Sequence, residues 1–96
     1  VITGSQFRAA RGLLNLSVSE VAEITGLALN TVRRAESTNE IAPINTANMK
    51  ALADAFELAG VLFIPADEQG PGVRLKSTEA HTMRPRRRDT SVRSDF

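Results

Sequence analysis

Arginine is the residue with the most to offer a ligand in this chain. Arg33 and Arg34 stand side by side, and Arg84-Pro85-Arg86-Arg87-Arg88 forms a basic run near the end. A guanidinium is a planar fork of donors that fits carboxylates, phosphates and the guanine edge in pairs. Asn30 lies just before them, and its amide is the matching donor–acceptor group for adenine. None of these is specific alone. Adjacent arginines are common on solvated helix faces, and Asn30 is also a residue type that caps helices. The basic run reads as a solubilising tail, as a phosphate-tracking arm, or as a contact for an acidic protein surface.

Other chemistry is excluded. Cysteine is absent, which removes disulfides and thiolate metal sites. His81 is the lone histidine, so no serine has a placed base and no histidine cluster can hold a metal. Glu20, Glu23, Asp54 and Glu57 have the spacing of solvated helix surfaces. Gly70 and Gly72 flank Pro71 and precede no helix, so they are not a phosphate loop. Asn15-Leu16-Ser17 matches a glycosylation sequon but falls at a helix start. The expectation is a protein that is not an enzyme and needs no cofactor.

Composition sets the frame. The chain has 96 residues, enough for one domain. It is 42% hydrophobic and 24% charged, with four Phe and no Trp or Tyr. This predicts an aliphatic, Ala-rich core and helices in preference to a sandwich. The longest apolar stretch, Leu58 to Ile64, falls far short of the ~20 residues that span a bilayer. No charged-then-apolar leader opens the sequence, so a cytoplasmic protein is expected. Charge is uneven: residues 1–76 hold seven Lys/Arg and eight Asp/Glu, and residues 77–96 hold five Arg and three acids. Charge alone therefore does not argue for nucleic-acid binding.

Periodicity predicts the elements. Phe7, Ala10, Leu13 and Leu14 give a helix over 3–14, capped by Thr3 or Ser5 and weakened by Gly12. Ser17 with Glu20 is a capping box opening a helix over 18–25, which Gly26 ends. A third helix is predicted over 28–36, burying Leu27, Val32 and Ala35. Asn45 or Thr46 caps a fourth, through Ala59, with a stripe of Met49, Leu52, Ala53, Phe56 and Ala59 that Gly60 stops. Val61–Ile64 and Val73–Lys76 read as two strands, paired within the chain or across two chains. From Ser77 onward no periodicity remains, and a disordered basic tail is expected.

Two short helices joined by a tight glycine turn form a helix-turn-helix, here over 18–36. Ala22 is small where the helices must cross, Gly26 makes the turn, Leu27 plugs the gap beneath it, and Val21 faces Val32. The run from Leu16 through Ser17, Val21, Ala22, Gly26, Leu27, Asn30, Val32, Arg33 and Arg34 to Glu36 resembles the Cro/Xre-type helix-turn-helix of phage repressors and bacterial regulators. The likeness covers Thr3 to about Gly60. The segments 59–65 and 72–75 resemble a subset of small Xre-type regulators that add a β-hairpin. The expected fold is thus mainly α: four helices of the phage-repressor type, then a short β-hairpin and a flexible C-terminal tail. Residues 1–76 make the body and 77–96 the tail.

The resemblance implies that 28–36 is a recognition helix in the DNA major groove. Carried across by position, the base-facing residues are Leu29, Asn30, Arg33 and Arg34. Ser17, Thr31 and Asn39 are the implied phosphate contacts, with Ser17 using its hydroxyl and backbone N–H. Arg11 and Glu36 are the implied ion pair bracing the recognition helix. The chain departs from the family pattern at Val18, where Gln is usual, and at Ala28, where Ser or Thr caps. Its loop 37–45 has no Lys or Arg, where relatives clamp phosphates. The implied function is transcriptional regulation by a homodimer on an inverted-repeat, double-stranded operator. Val61, Phe63, Val73 and Leu75 are expected at the dimer interface, because their apolar edge needs a partner. The rival reading is a protein-interaction module, an antitoxin holding a toxin or a factor touching RNA polymerase.

Overall fold

Thr3 opens the first helix, α1 (Gly4–Leu14), in the computed structural model, which describes residues 1–77. The Thr3 hydroxyl accepts from the Gln6 N–H at 3.1 Å, and the Gln6 side chain takes the Thr3 N–H at 2.9 Å. That reciprocal box satisfies two donors that a helix start leaves open. The helix runs through Gly12 and stops at Asn15, whose backbone is left-handed (φ 57°). Asn is one of the few residue types other than Gly that adopts this conformation as a helix cap.

Ser17 and Glu20 make a second capping box at the head of α2 (Val18–Thr25), and Gly26 (φ 76°) ends it. The third helix, α3, spans Leu29–Ala35, one residue less at each end than the sequence pattern predicts. Ala28 is its N-cap and has no side-chain acceptor to offer, and Glu36 is already its C-cap. Asn45 caps α4 (Thr46–Leu58) by accepting from the Asn48 N–H at 2.7 Å. The helix ends one residue before Ala59, and Gly60 (φ 104°) turns the chain into a strand.

The two strands, β1 (Val61–Ile64) and β2 (Gly72–Leu75), pair antiparallel with each other, Val61 opposite Leu75 and Phe63 opposite Val73. The second strand starts at Gly72 and stops before Lys76. The buried Gln6 amide donates to the Ile64 carbonyl at 3.1 Å and to the Gly72 carbonyl at 3.0 Å. It thereby ties the loop end of the hairpin to α1. The described residues are mainly helical and form four helices and a two-stranded hairpin. Among the described residues, no helix is long and apolar enough to cross a membrane. The basic run 84–88 and the expected tail beyond Ser77 lie outside the described residues.

The core is largely aliphatic and rich in Ala, as expected, with Ala10, Ala35, Ala42 and Ala59 buried. It also holds a phenylalanine cluster, in which buried Phe7 and Phe56 meet the half-buried Phe63. Phe7 lies 6.2 Å from Phe56 and 5.7 Å from Phe63, ring centre to ring centre, and Phe56 lies 6.2 Å from Phe63. Two of the three pairs meet edge to face, the arrangement that the ring quadrupole favours. Scarce aromatics were concentrated, not absent.

This packing gives the hairpin side chains a role within the chain and leaves Val61 no surface for a partner. Val61 is fully buried, and Phe63, Val73 and Leu75 pack half-buried against the same cluster. The helices α1 and α4 of the same chain are the partners that the apolar edge required. The apolar side chains left exposed nearby are Leu58 and Leu62. Phe63→Asp should therefore unfold the chain instead of giving a folded monomer. We expect a loss of at least ~3 kcal/mol, the scale of removing a core phenylalanine. Urea denaturation followed by circular dichroism measures it, and an unchanged midpoint would detach the hairpin from the core.

Candidate nucleic-acid interface

The α2–α3 pair is closed by burial on one side and by a short hydrogen-bonded turn on the other. Val21 and Val32 are buried, Ala22 and Leu27 half-buried. The Thr25 hydroxyl donates to the Val21 carbonyl at 2.8 Å and accepts from the Leu27 N–H at 3.3 Å. Sequence reasoning assigned Thr25 no role. It bonds on both sides of Gly26, so the turn is fixed by a side chain as well as by the glycine.

With Val32 and Ala35 facing inward, α3 turns Asn30, Arg33 and Arg34 to solvent and leaves Leu29 and Thr31 half-buried. Asn30 lies in the first turn, while Ala28 holds the cap position, so Asn30 does not cap the helix. Among the described residues, neither Arg33 nor Arg34 has a carboxylate partner. Both sit in the last turn of α3, where the helix dipole favours cations.

The far end of α3 is held from α1. Arg11 Nε meets Glu36 Oε2 at 2.9 Å and Nη2 meets Oε1 at 3.0 Å, a two-pronged pair. Its remaining prong donates to the Leu16 carbonyl at 3.1 Å. The Glu36 side chain is only 8% exposed and that of Arg11 26%. The hydrogen bond to Glu36 raises the Arg11 guanidinium above its ordinary pKa, and partial burial opposes the rise. Arg11 is therefore charged throughout the range in which the protein is studied.

Arg8 is a residue that sequence reasoning missed. It donates to the carbonyls of Glu36 and Thr38 and to Oδ1 of Asn39. The signal was present: Arg8 precedes Arg11 by three residues, so the two share a face of α1. Whatever places Arg11 on Glu36 places Arg8 on the residues just beyond. Gly4 allows the close approach, since a Cβ there would fall 2.1 Å from the Thr38 carbonyl oxygen.

Ser17 differs from its expected role. Its hydroxyl is exposed, but its backbone N–H donates to Glu20 Oε1 at 2.8 Å. A carboxylate thus holds the N–H that a phosphate was expected to take, and only the hydroxyl proton of Ser17 is left to give. Asn39 is exposed at the end of the α3 segment. Ser17, Asn30, Arg33, Arg34 and Asn39 are thus all exposed around α2 and α3, whereas Val61 belongs to the core.

No family model and no curated protein matches the chain.

The ion pair makes a sharp stability prediction. Arg11→Leu leaves the Glu36 carboxylate buried without its partner. Breaking such a pair costs about 3–5 kcal/mol, and partial exposure of Arg11 puts the expected loss near the lower figure. Adding Glu36→Leu to the same chain should recover much of that loss, because apolar replacement of both partners is often near neutral. Urea midpoints of the two variants decide it; a double variant no better than the single would mean that the pair is not the strut.

Proposed function

We propose that this chain is a binding protein, not an enzyme: a sequence-specific double-stranded DNA-binding transcriptional regulator of the Cro/Xre helix-turn-helix type. The observation that carries the reading is α3 itself. It is a short helix held at its far end by Arg8 and Arg11, with Asn30, Arg33 and Arg34 exposed and no carboxylate on the two arginines among the described residues. Amide and guanidinium groups on a fixed helix are the donors that read adenine and guanine edges in the major groove. Leu29 supplies an apolar contact for a thymine methyl. Thr31 on α3 and Ser17 and Asn39 on either side of it in the chain are assigned to phosphates, which set register without reading sequence.

On this reading the regulator acts as a homodimer on an inverted repeat, with recognition helices ~34 Å apart, one turn of DNA. Of the four hairpin residues named from sequence for the interface, Val61 is wholly buried within its own chain, and Phe63, Val73 and Leu75 are half-buried there.

A second reading has its own support. Glu20 sits at the N-terminus of α2, and the loop 37–45 has no Lys or Arg, both unfavourable for a polyanion. An antitoxin or a polymerase-contacting factor of the same fold would tolerate both.

Selection of bound sequences from a random duplex library at ~150 mM salt separates the two, since weak phosphate contacts no longer dominate there. We expect an enriched palindrome. Arg34→Ala should then relax specificity at one base pair, by ~1–3 kcal/mol of discrimination. A folded chain that enriches nothing would replace this reading with the protein-interaction module.

A further inference from the structure

The loop after α3 has no cation of its own, yet one reaches it. Arg8 extends from α1 and puts Nη1 at 2.5 Å from the Glu36 carbonyl and 3.2 Å from that of Thr38, with Nη2 on Oδ1 of Asn39. Among the described residues Arg8 has no carboxylate partner, so its charge is balanced only by these dipoles.

The geometry points to Arg8 as a positioning residue that acts on DNA through Asn39, an inference that rests on the DNA-binding reading above. A guanidinium only donates, so the Asn39 amide must turn its oxygen to Arg8. The two N–H bonds of Nδ2 then point away from Arg8, on an exposed residue four positions beyond the end of α3. Arg8 thereby makes Asn39 a pure donor. Its charge also polarises the amide and strengthens those donors, as in any hydrogen-bonded chain. A phosphate oxygen accepts two donors and is drawn to a nearby cation. Without Arg8 nothing among the described residues fixes the amide, and orienting its donors toward a phosphate would have to be done at the cost of binding.

The same contacts cap the carbonyls that end α3, so Arg8 also has a structural part. The test must separate the two. Asn39→Asp keeps an acceptor for Arg8 and turns the contact into an ion pair, so the fold should be at least as stable in urea. It also replaces the outward donors by a carboxylate oxygen. We expect its affinity to fall roughly tenfold or more, the weight of a hydrogen bond to a charged group, on the selected duplex and on an unrelated duplex alike. Arg8→Ala should weaken binding by about the same factor as Asn39→Ala. In the Asn39→Ala background it should weaken binding no further, although it still lowers the urea midpoint.

Binding by Asn39→Asp equal to that of the unaltered chain would overturn the inference. So would a full additional loss from Arg8→Ala in the Asn39→Ala background, which would make Arg8 a structural brace alone. If Arg8→Ala does not fold, the two Asn39 variants decide. If the unaltered chain binds neither duplex, the DNA reading itself falls and this inference with it.

Discussion

The strut from α1 to the end of α3 is the interaction on which the rest of the candidate site depends. A helix of seven residues is far below the ~12–15 needed for even marginal stability in water. It also has no side-chain N-cap and no acidic residue in its first turn. Nothing within α3 makes up for that. Order has to come from outside, by burial of Val32 and Ala35 and by fixing the residue where the helix ends. Arg11 grips the Glu36 side chain and Arg8 the Glu36 carbonyl. Two cations on one residue also suit the negative end of the helix dipole.

That makes α1 the frame of the molecule. Phe7, Ala10 and Leu14 line the core, Arg8 and Arg11 reach the α3 segment, and Gln6 reaches the hairpin. A two-stranded hairpin is marginal by itself. Here its inner side chains complete the phenylalanine cluster, and one buried amide satisfies a carbonyl on each strand. Because Gln6 is also the partner of Thr3 in the capping box, one side chain both starts α1 and secures the hairpin. The position of α3 and the closure of the hairpin are thus set by residues within two turns of one helix.

How much of this was legible follows from which signals are local. A cap at Thr3 or Ser5, the capping box at Ser17, the stop at Gly26 and the stripe on α4 are written in neighbouring residues, and these bounds agree with the structure to within a residue. Glu36 as the partner of Arg11 came from resemblance, not from spacing. The missing parts are long-range. Nothing near Gln6 announces carbonyls at Ile64 and Gly72, and nothing near Arg8 announces Asn39. The hairpin shows the same limit: alternation shows that one face must be covered, but not by what. At Ser17 the capping box and the expected phosphate contact draw on one N–H, so only the hydroxyl proton is left for a phosphate.

The distribution of engaged charge gives the candidate site its character. Of the cations in the body, Arg11 is held by Glu36, Lys50 by Asp54, and Lys76 by the Glu57 carbonyl. Arg8 is given over to carbonyls and to Asn39. Arg33 and Arg34 remain, both on α3, with Arg74 exposed on the hairpin. A protein that grips a polyanion chiefly through charge spreads free cations around its reading helix, and its affinity then falls steeply with salt. This body does not. On the proposed reading, the two arginines of α3 lie where bases are read, Arg74 lies apart on the hairpin, and the assigned phosphate contacts are neutral donors such as Asn39 and Ser17. Discrimination among sequences then outweighs attraction to DNA in general, and a second protomer becomes necessary for affinity, because one α3 offers too few contacts to hold a site alone.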